Sequence, residues 1–204
     1  MTRTGKAVSL IAGVVLLDQI IKFWIKLNFV MGEELAISPW FILHFTENNG
    51  MAFGFELGGR WGKIALSVFR ILAITGLGVY ISRLLKNQAP AASVWAFSLI
   101  FAGALGNMID SAFYGLIFSE SYGGAARLFP SDGGYAGLLE GRVVDMFYLP
   151  IFQGFLPDWV PFKGGDYFVF LRPVFNLADT AISAGVGVMI AFQKTIFPSA
   201  KKDS

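Results

Sequence analysis

Four stretches of about twenty mostly apolar residues, at 7–30, 64–85, 93–118 and 174–197, constrain this chain more than any other feature. Each is about as long as a helix must be to cross the hydrocarbon of a bilayer. Backbone N–H and C=O groups find no water there, so each segment is expected to close its own hydrogen bonds as an α-helix. With 55% hydrophobic and 15% charged residues, the chain is too apolar for an ordinary soluble domain of its size. The expected fold is an all-α membrane protein with four transmembrane helices, in one domain over residues 1–204. The first segment carries Asp18 and Lys22 and has no small-x-small cleavage site ahead of a soluble domain, so it reads as a retained span.

Cations set the orientation. Arg3 and Lys6 precede the first span, Arg83 and Lys86 lie between the second and third, and Lys194, Lys201 and Lys202 close the chain. The segment after the first span instead sets Glu33, Glu34, Glu47 and Glu56 against Arg60 and Lys63. Both termini are therefore expected on the cytoplasmic side, with outer segments at 31–63 and 119–173. The first outer segment mixes apolar runs such as Trp40-Phe41-Ile42-Leu43 with the turn signal Asn48-Asn49-Gly50, which predicts a small β-rich element on the outer membrane surface. The second, rich in Gly and Pro, predicts a long outer loop. Trp40, Phe41, Trp61, Tyr148, Phe152, Phe155 and Trp159 suit an aromatic rim among lipid headgroups. The Gly-flanked part of 119–141 is a candidate lid.

Composition removes several chemistries. There is no cysteine, which excludes disulfides, iron–sulfur clusters and thiol catalysis, and the single His44 belongs to no zinc-ligand pattern. His44 reads as a satisfied interfacial residue. A net charge of +2, without basic runs interleaved with aromatics, excludes nucleic acid as a partner. Membrane lipids are the expected surroundings.

What remains is polar residues where hydrocarbon is expected. Asp179 stands at the mouth of the last span in Phe175-Asn176-Leu177-Ala178-Asp179 and needs a polar partner. Asp145, in Gly141-Arg142-Val143-Val144-Asp145, is the proposed one. Two carboxyls in a poorly hydrated site do not both ionise comfortably, so one keeps a proton while the other acts as a base, as an aspartic peptidase requires. The third span runs outward and ends near Asn107 and Asp110, at the depth of Asn176 and Asp179. Asparagine amides suit a carboxyl pair because they donate and accept without adding charge. Gly103, Ala104 and Gly106 permit close approach of a helix. Asp18 and Lys22, four apart on one helical face, either lock the first helix or act on substrate. Lys26 is read as snorkelling to the interface, and Arg70 as snorkelling or pairing structurally, with a part in the chemistry as the lesser alternative.

Together these residues resemble the bacterial lipoprotein signal peptidases, also called signal peptidase II. Asp18-Gln19-Ile20-Ile21-Lys22 is similar to that family's first-span box, Asn48-Asn49-Gly50-Met51-Ala52-Phe53 to its Asn-x-Gly-x-Ala-Phe loop, and Phe175–Asp179 to its last box. The stretch from Gly103 to Asp110 and the stretch from Gly141 to Asp145 resemble two parts of its third box. The resemblance implies an intramembrane aspartic endopeptidase of the bacterial inner membrane, with its site near the outer leaflet. Its substrates would be diacylglyceryl-modified prolipoproteins, cut before the lipidated cysteine. It implies that Asp145 and Asp179 are catalytic, that Asn48, Asn107 and Asn176 line or order the site, and that Asp18 and Lys22 support it or its substrate. An aspartic peptidase of this kind needs neither metal nor organic cofactor, and none is expected. Two departures stand out. Ser111 occupies the position after Ile-Asp where the family usually has arginine, and a long insertion separates the two halves of the third box. A rival register ending in Ser119 offers no carboxylate, so Asp145 takes that role, and Arg142 is a candidate to replace the missing arginine.

Other classes fit less well. There is no Gly-x-Ser-x-Gly for a serine intramembrane peptidase, and Lys163 spoils the Gly-x-Gly-Asp pattern at Gly164-Gly165-Asp166. A small proton-coupled transporter or channel is the serious alternative, because intramembrane carboxylates suit it equally. A scaffold protein whose buried polar groups only lock helices together is the blander one.

Overall fold

The computed structural model describes residues 1–49 and 59–197. Helix α1 spans Arg3–Asn28. It starts where the Thr2 hydroxyl caps the Gly5 N–H at 3.0 Å. Strands β1 (Glu34–Ser38) and β2 (Phe41–Asn48) follow as an antiparallel pair. Helix α2 (Gly59–Lys86) and helix α3 come next; α3 starts at Ala91 and passes through a π-helical turn at Asp110–Tyr114 to reach Ile117. Strands β3 (Val143–Tyr148), β4 (Phe152–Phe155) and β5 (Tyr167–Phe170) precede helix α4 (Leu177–Ala191) and the short α5 (Gln193–Ile196).

Among the described residues, three helices, Arg3–Asn28, Trp61–Lys86 and Ala91–Ile117, are long and apolar enough to cross a membrane. The fourth expected span is shorter. Residues 174–176 are extended rather than helical, because Phe175 pairs with Phe147 across an isolated bridge, and the continuous helix ends at Ala191. At about 1.5 Å per residue, its 15 residues reach about 22 Å, less than a hydrocarbon core of about 30 Å.

The expected β-rich element is present and larger than 31–63 alone would make it. Strand β3 comes from the second outer segment and pairs antiparallel with β2, giving the order β1-β2-β3, with Thr46 opposite Asp145 and Asn48 opposite Val143. The expected loop thus supplies a strand, and a separate β4–β5 hairpin follows it. Of the expected aromatic rim, Trp40, Trp61, Phe152, Phe155 and Trp159 are exposed, whereas Phe41 and Tyr148 are half-buried in the sheet. His44 bonds Glu34 at 2.6 Å, the satisfied state its isolation suggested.

Close packing of α3 against α4 fixes the site. A Cβ on Gly103 would stand 2.2 Å from the Ala178 carbonyl oxygen, and one on Gly106 2.7 Å from Asp18 Oδ2. No side chain fits at either position without parting the helices, as the small-residue pattern predicted. On the other side, Ile25, Phe29, Phe45, Tyr114, Phe118, Val144 and Met146 form an apolar core between α1, the sheet and the end of α3.

The insertion does not wander. From Ser119 the chain loops out and folds back along the end of α3, with Ala136 N bonding Gly115 O at 2.9 Å and Gly141 N bonding Ser111 O at 2.9 Å. A Cβ on Gly141 would meet the Asp110 carbonyl oxygen at 2.1 Å. Residues interrupted in sequence are therefore adjacent in space.

Candidate active site

One ammonium joins the two long polar helices. Lys22 Nζ lies 2.9 Å from Asp18 and 2.7 Å from Asp110, and all three side chains are buried. It also donates to Asn107 Oδ1 at 2.9 Å. Gln19 fills the gap between the acids, donating to Asp18 at 3.1 Å and Asp110 at 2.9 Å while accepting from the Tyr114 hydroxyl at 3.1 Å. Such a cluster is tolerated in an apolar setting only because nearly every charge has a partner and a hydrogen bond. The cluster also reaches outward. Asp18 Oδ1 accepts the Ala178 N–H at 3.0 Å, and Asp110 Oδ2 accepts the Val144 N–H at 3.3 Å. It thereby holds the start of α4 and the middle of β3, the two elements that carry Asp179 and Asp145.

Asn176 binds those elements together. Its Oδ1 caps α4 by accepting the Asp179 N–H at 2.9 Å, while Asp179 Oδ2 reaches back to the Asn176 N–H at 3.4 Å. This is a capping box. Its Nδ2 donates to Asp145 Oδ1 at 2.6 Å and to the Val144 carbonyl at 3.2 Å. Asn107, from α3, donates to Asp179 Oδ1 at 2.8 Å and accepts from Asn176 at 3.0 Å. Asn48, at the end of β2, donates to Asp145 Oδ2. Three amides therefore hold two acids from three different elements.

Asp145 is 2% exposed. Burial, and then the charge of Asp179, push its carboxyl up from the ordinary range to about 7. That repulsion is how a carboxyl pair separates its protonation states.

The structure thus brings together Asp145, Asp179, Asn48, Asn107, Asn176, Asp18 and Lys22. Arg142 sits elsewhere: its guanidinium holds Glu47 at 2.9 Å and Glu120 at 2.7 Å and lies over the Tyr135 ring. Lys26 does not snorkel, since its buried ammonium pairs with Glu47 and donates to Ser121 at 2.8 Å. These bonds, with Ala126 N to Lys26 O at 2.9 Å, fasten the expected lid to α1. Ser119 lies in the turn of the insertion, where its hydroxyl accepts the Arg127 N–H. Residues 50–53 of the second motif lie outside the described residues.

Two site neighbours were named in the sequence without their contacts. Gln19 sat inside a quoted motif, but nothing in one sequence marked it as the bridge between two acids. Arg70 gave only the signal of a cation in an apolar span; it reaches Ser111 Oγ at 3.4 Å.

Fold and site together define an integral membrane protein with a buried polar cluster where its helices meet a small sheet. Two solved structures described as bacterial membrane enzymes are similar to it with a TM-score of 0.60, at 23% and 25% identity, each covering 98% of this chain and 94% or 95% of its own. A profile of the family described as Signal peptidase (SPase) II matches residues 10–195. A protein of Porphyromonas gingivalis named Lipoprotein signal peptidase is 48% identical over 196 residues, 94% of this chain and 85% of its own length. One of the same name from Amoebophilus asiaticus is 41% identical over 180 residues, 86% of this chain and 72% of its own. The chain belongs to the signal peptidase II family, and is thus a membrane peptidase. Membership leaves the transporter reading without support.

Proposed function

We propose that the chain is an aspartic endopeptidase that removes the signal peptide from diacylglyceryl-modified prolipoproteins, cutting before the lipid-bearing cysteine, with Asp145 and Asp179 as its catalytic pair. The observation that carries this is the double grip of Asn176, which holds Asp145 through its amide and Asp179 through the capping box. A water between the carboxyls loses a proton to one of them as its oxygen attacks the scissile carbonyl. The other hydrogen-bonds the developing oxyanion. Asn48, Asn107 and Asn176 fix the orientation of both acids. Asp18 and Lys22 set the depth and angle of the elements that carry them.

The substrate class agrees with the location. Acyl chains of the modified cysteine remain in the bilayer while the peptide enters a polar site at its edge. In this reading α4 and α5 complete a fourth crossing, 1–204 is one domain, both termini are cytoplasmic, and the site opens near the outer leaflet of the bacterial inner membrane. The cation distribution supports that orientation.

The test is direct. Asp145→Asn and Asp179→Asn, each purified as inserted protein, are expected to lose cleavage of a lipid-modified precursor by at least about a thousandfold, since each removes a group the chemical step requires. Normal product formation by either variant overturns the assignment.

A further inference from the structure

Glu47 is buried next to the site and has no part in the chemistry proposed above. Its two carboxylate oxygens reach different elements: Oε1 pairs with Lys26 Nζ in the last turn of α1, and Oε2 accepts from the Arg142 guanidinium at 2.9 Å, just ahead of β3. The side chains of Lys26 and Glu47 are fully buried. Lys26 also donates to Ser121 at 2.8 Å, and Arg142 donates to both oxygens of Glu120 at 2.7 and 2.8 Å. Both cations lie over the Tyr135 ring, and its hydroxyl accepts the Arg142 N–H at 2.7 Å. Two positive and two negative groups thus alternate and their charges cancel, which is what makes such a cluster tolerable away from water. Glu120, Ser121 and Tyr135 all belong to the insertion, so the insertion completes the cluster.

The cluster sits directly behind the site. In the β2–β3 pair Thr46 stands opposite Asp145, Glu47 opposite Val144 and Asn48 opposite Val143. Successive strand residues point to opposite faces, so Asn48 and Asp145 share one face while Glu47 and Val144 share the other. On the first face the Asn48 amide donates to Asp145 Oδ2. On the second, Val144 enters the apolar core and Glu47 meets Lys26 and Arg142. Asn48 is the last residue of β2 and Val143 the first of β3, so the site contact lies at the end of the ladder. Ends of ladders fray more readily than their middles, and a slip by one residue would turn Asn48 away from Asp145. Glu47 clamps that end from behind.

We propose that Glu47 is a positioning residue for peptide cleavage: held by Lys26 and Arg142, it keeps the ends of β2 and β3 in register so that the Asn48 amide stays on Asp145. This rests on the peptidase reading above. Glu47 touches neither the reacting acids nor the scissile bond, and it acts through Asn48.

The experiment measures kcat and KM for cleavage of a diacylglyceryl-modified precursor by the full-length protein, by Glu47→Gln, by Asn48→Ala and by the double variant. Glu47→Gln is expected to lose about tenfold in kcat with KM within about twofold of the parent, because a reacting group is displaced and not a substrate contact. In the Asn48→Ala background the same substitution is expected to cost less than about twofold, since the contact it supports is already gone. A role confined to holding the fold would show its full factor in both backgrounds. A monodisperse Glu47→Gln protein with the parental kcat, a change in KM alone, or a tenfold loss repeated beside Asn48→Ala overturns the inference. Should Asn48→Ala show no turnover, the split between kcat and KM decides by itself. Should Glu47→Gln not fold, Arg142→Gln, which leaves Glu47 paired with Lys26, goes through the same measurements with the same expected and overturning results. Asp145→Asn and Asp179→Asn run alongside separate the two claims: if both are inactive while Glu47→Gln keeps the parental kcat, only the role of Glu47 fails, and normal cleavage by either of them removes the peptidase reading itself.

Discussion

At the scale of the residue, the site is a matter of who shares a proton with whom. Burial, and then the charge of Asp179, push the Asp145 carboxyl of the folded protein up to about 7, from an ordinary value of about 4 in the unfolded chain. Between those values the folded protein keeps a proton that the unfolded chain releases, so raising the pH through that window costs stability. Asp145→Asn carries no such cost. Its stability relative to the parent is expected to rise by about 2–4 kcal/mol as the pH goes from 4 to 8, whatever the offset from the hydrogen bonds it changes, and thermal unfolding in detergent at the two pH values checks it. A gap that does not change with pH would contradict the burial argument. The acids and asparagines themselves were legible in the sequence, since a carboxyl at the mouth of an apolar span requires an explanation. Their bonding was not. Lys26 read as snorkelling because its partners, Glu47 and Ser121, come from other segments, and Arg142 read as a site cation because Glu120 could not be seen beside it.

At the scale of the element, positions follow from how closely helices approach and where a strand returns. Gly103 has the Ala178 carbonyl 2.2 Å from where a Cβ would be, whereas Gly187 on α4 has nothing within 4 Å. Gly103→Ala is therefore expected to lose about 1–3 kcal/mol of stability and to reduce cleavage by displacing Asn107 from Asp179. Gly187→Ala is expected to be neutral or slightly stabilising, because alanine is the better helix former. Thermal unfolding and turnover of both variants test the pair; equal behaviour would mean that α3 and α4 are not held by that contact. Three long helices and a surface sheet were visible in apolar runs and a turn motif. The origin of β3 was not, because strand pairing across the insertion depends on the chain folding back along α3 through Ala136 and Gly141. The last helix was misjudged at its start for a similar reason: Phe175 is apolar enough to join a span, yet it bonds the strand instead.

At the scale of the whole molecule, one end of a helix assembly is joined to a small sheet, and the join is where the polar residues gather. Lys22 and its two acids link α1 to α3, Asp18 and Asp110 extend that link to α4 and β3, and the asparagines complete it. An apolar exterior and a charged interior are thus parts of one design, with the polar cluster fixing the register of elements that the bilayer alone would leave free to slide. The central claim is that Asp145 and Asp179 face each other across one small space. The chain has no cysteine, so an Asp145→Cys/Asp179→Cys variant carries the only two thiols in the molecule. Treating that inserted protein with dibromobimane, which fluoresces when it bridges two nearby thiols, measures their proximity directly. The predicted result is an intramolecular fluorescent adduct in the double variant and in neither single variant; two reactive thiols that never bridge would contradict it.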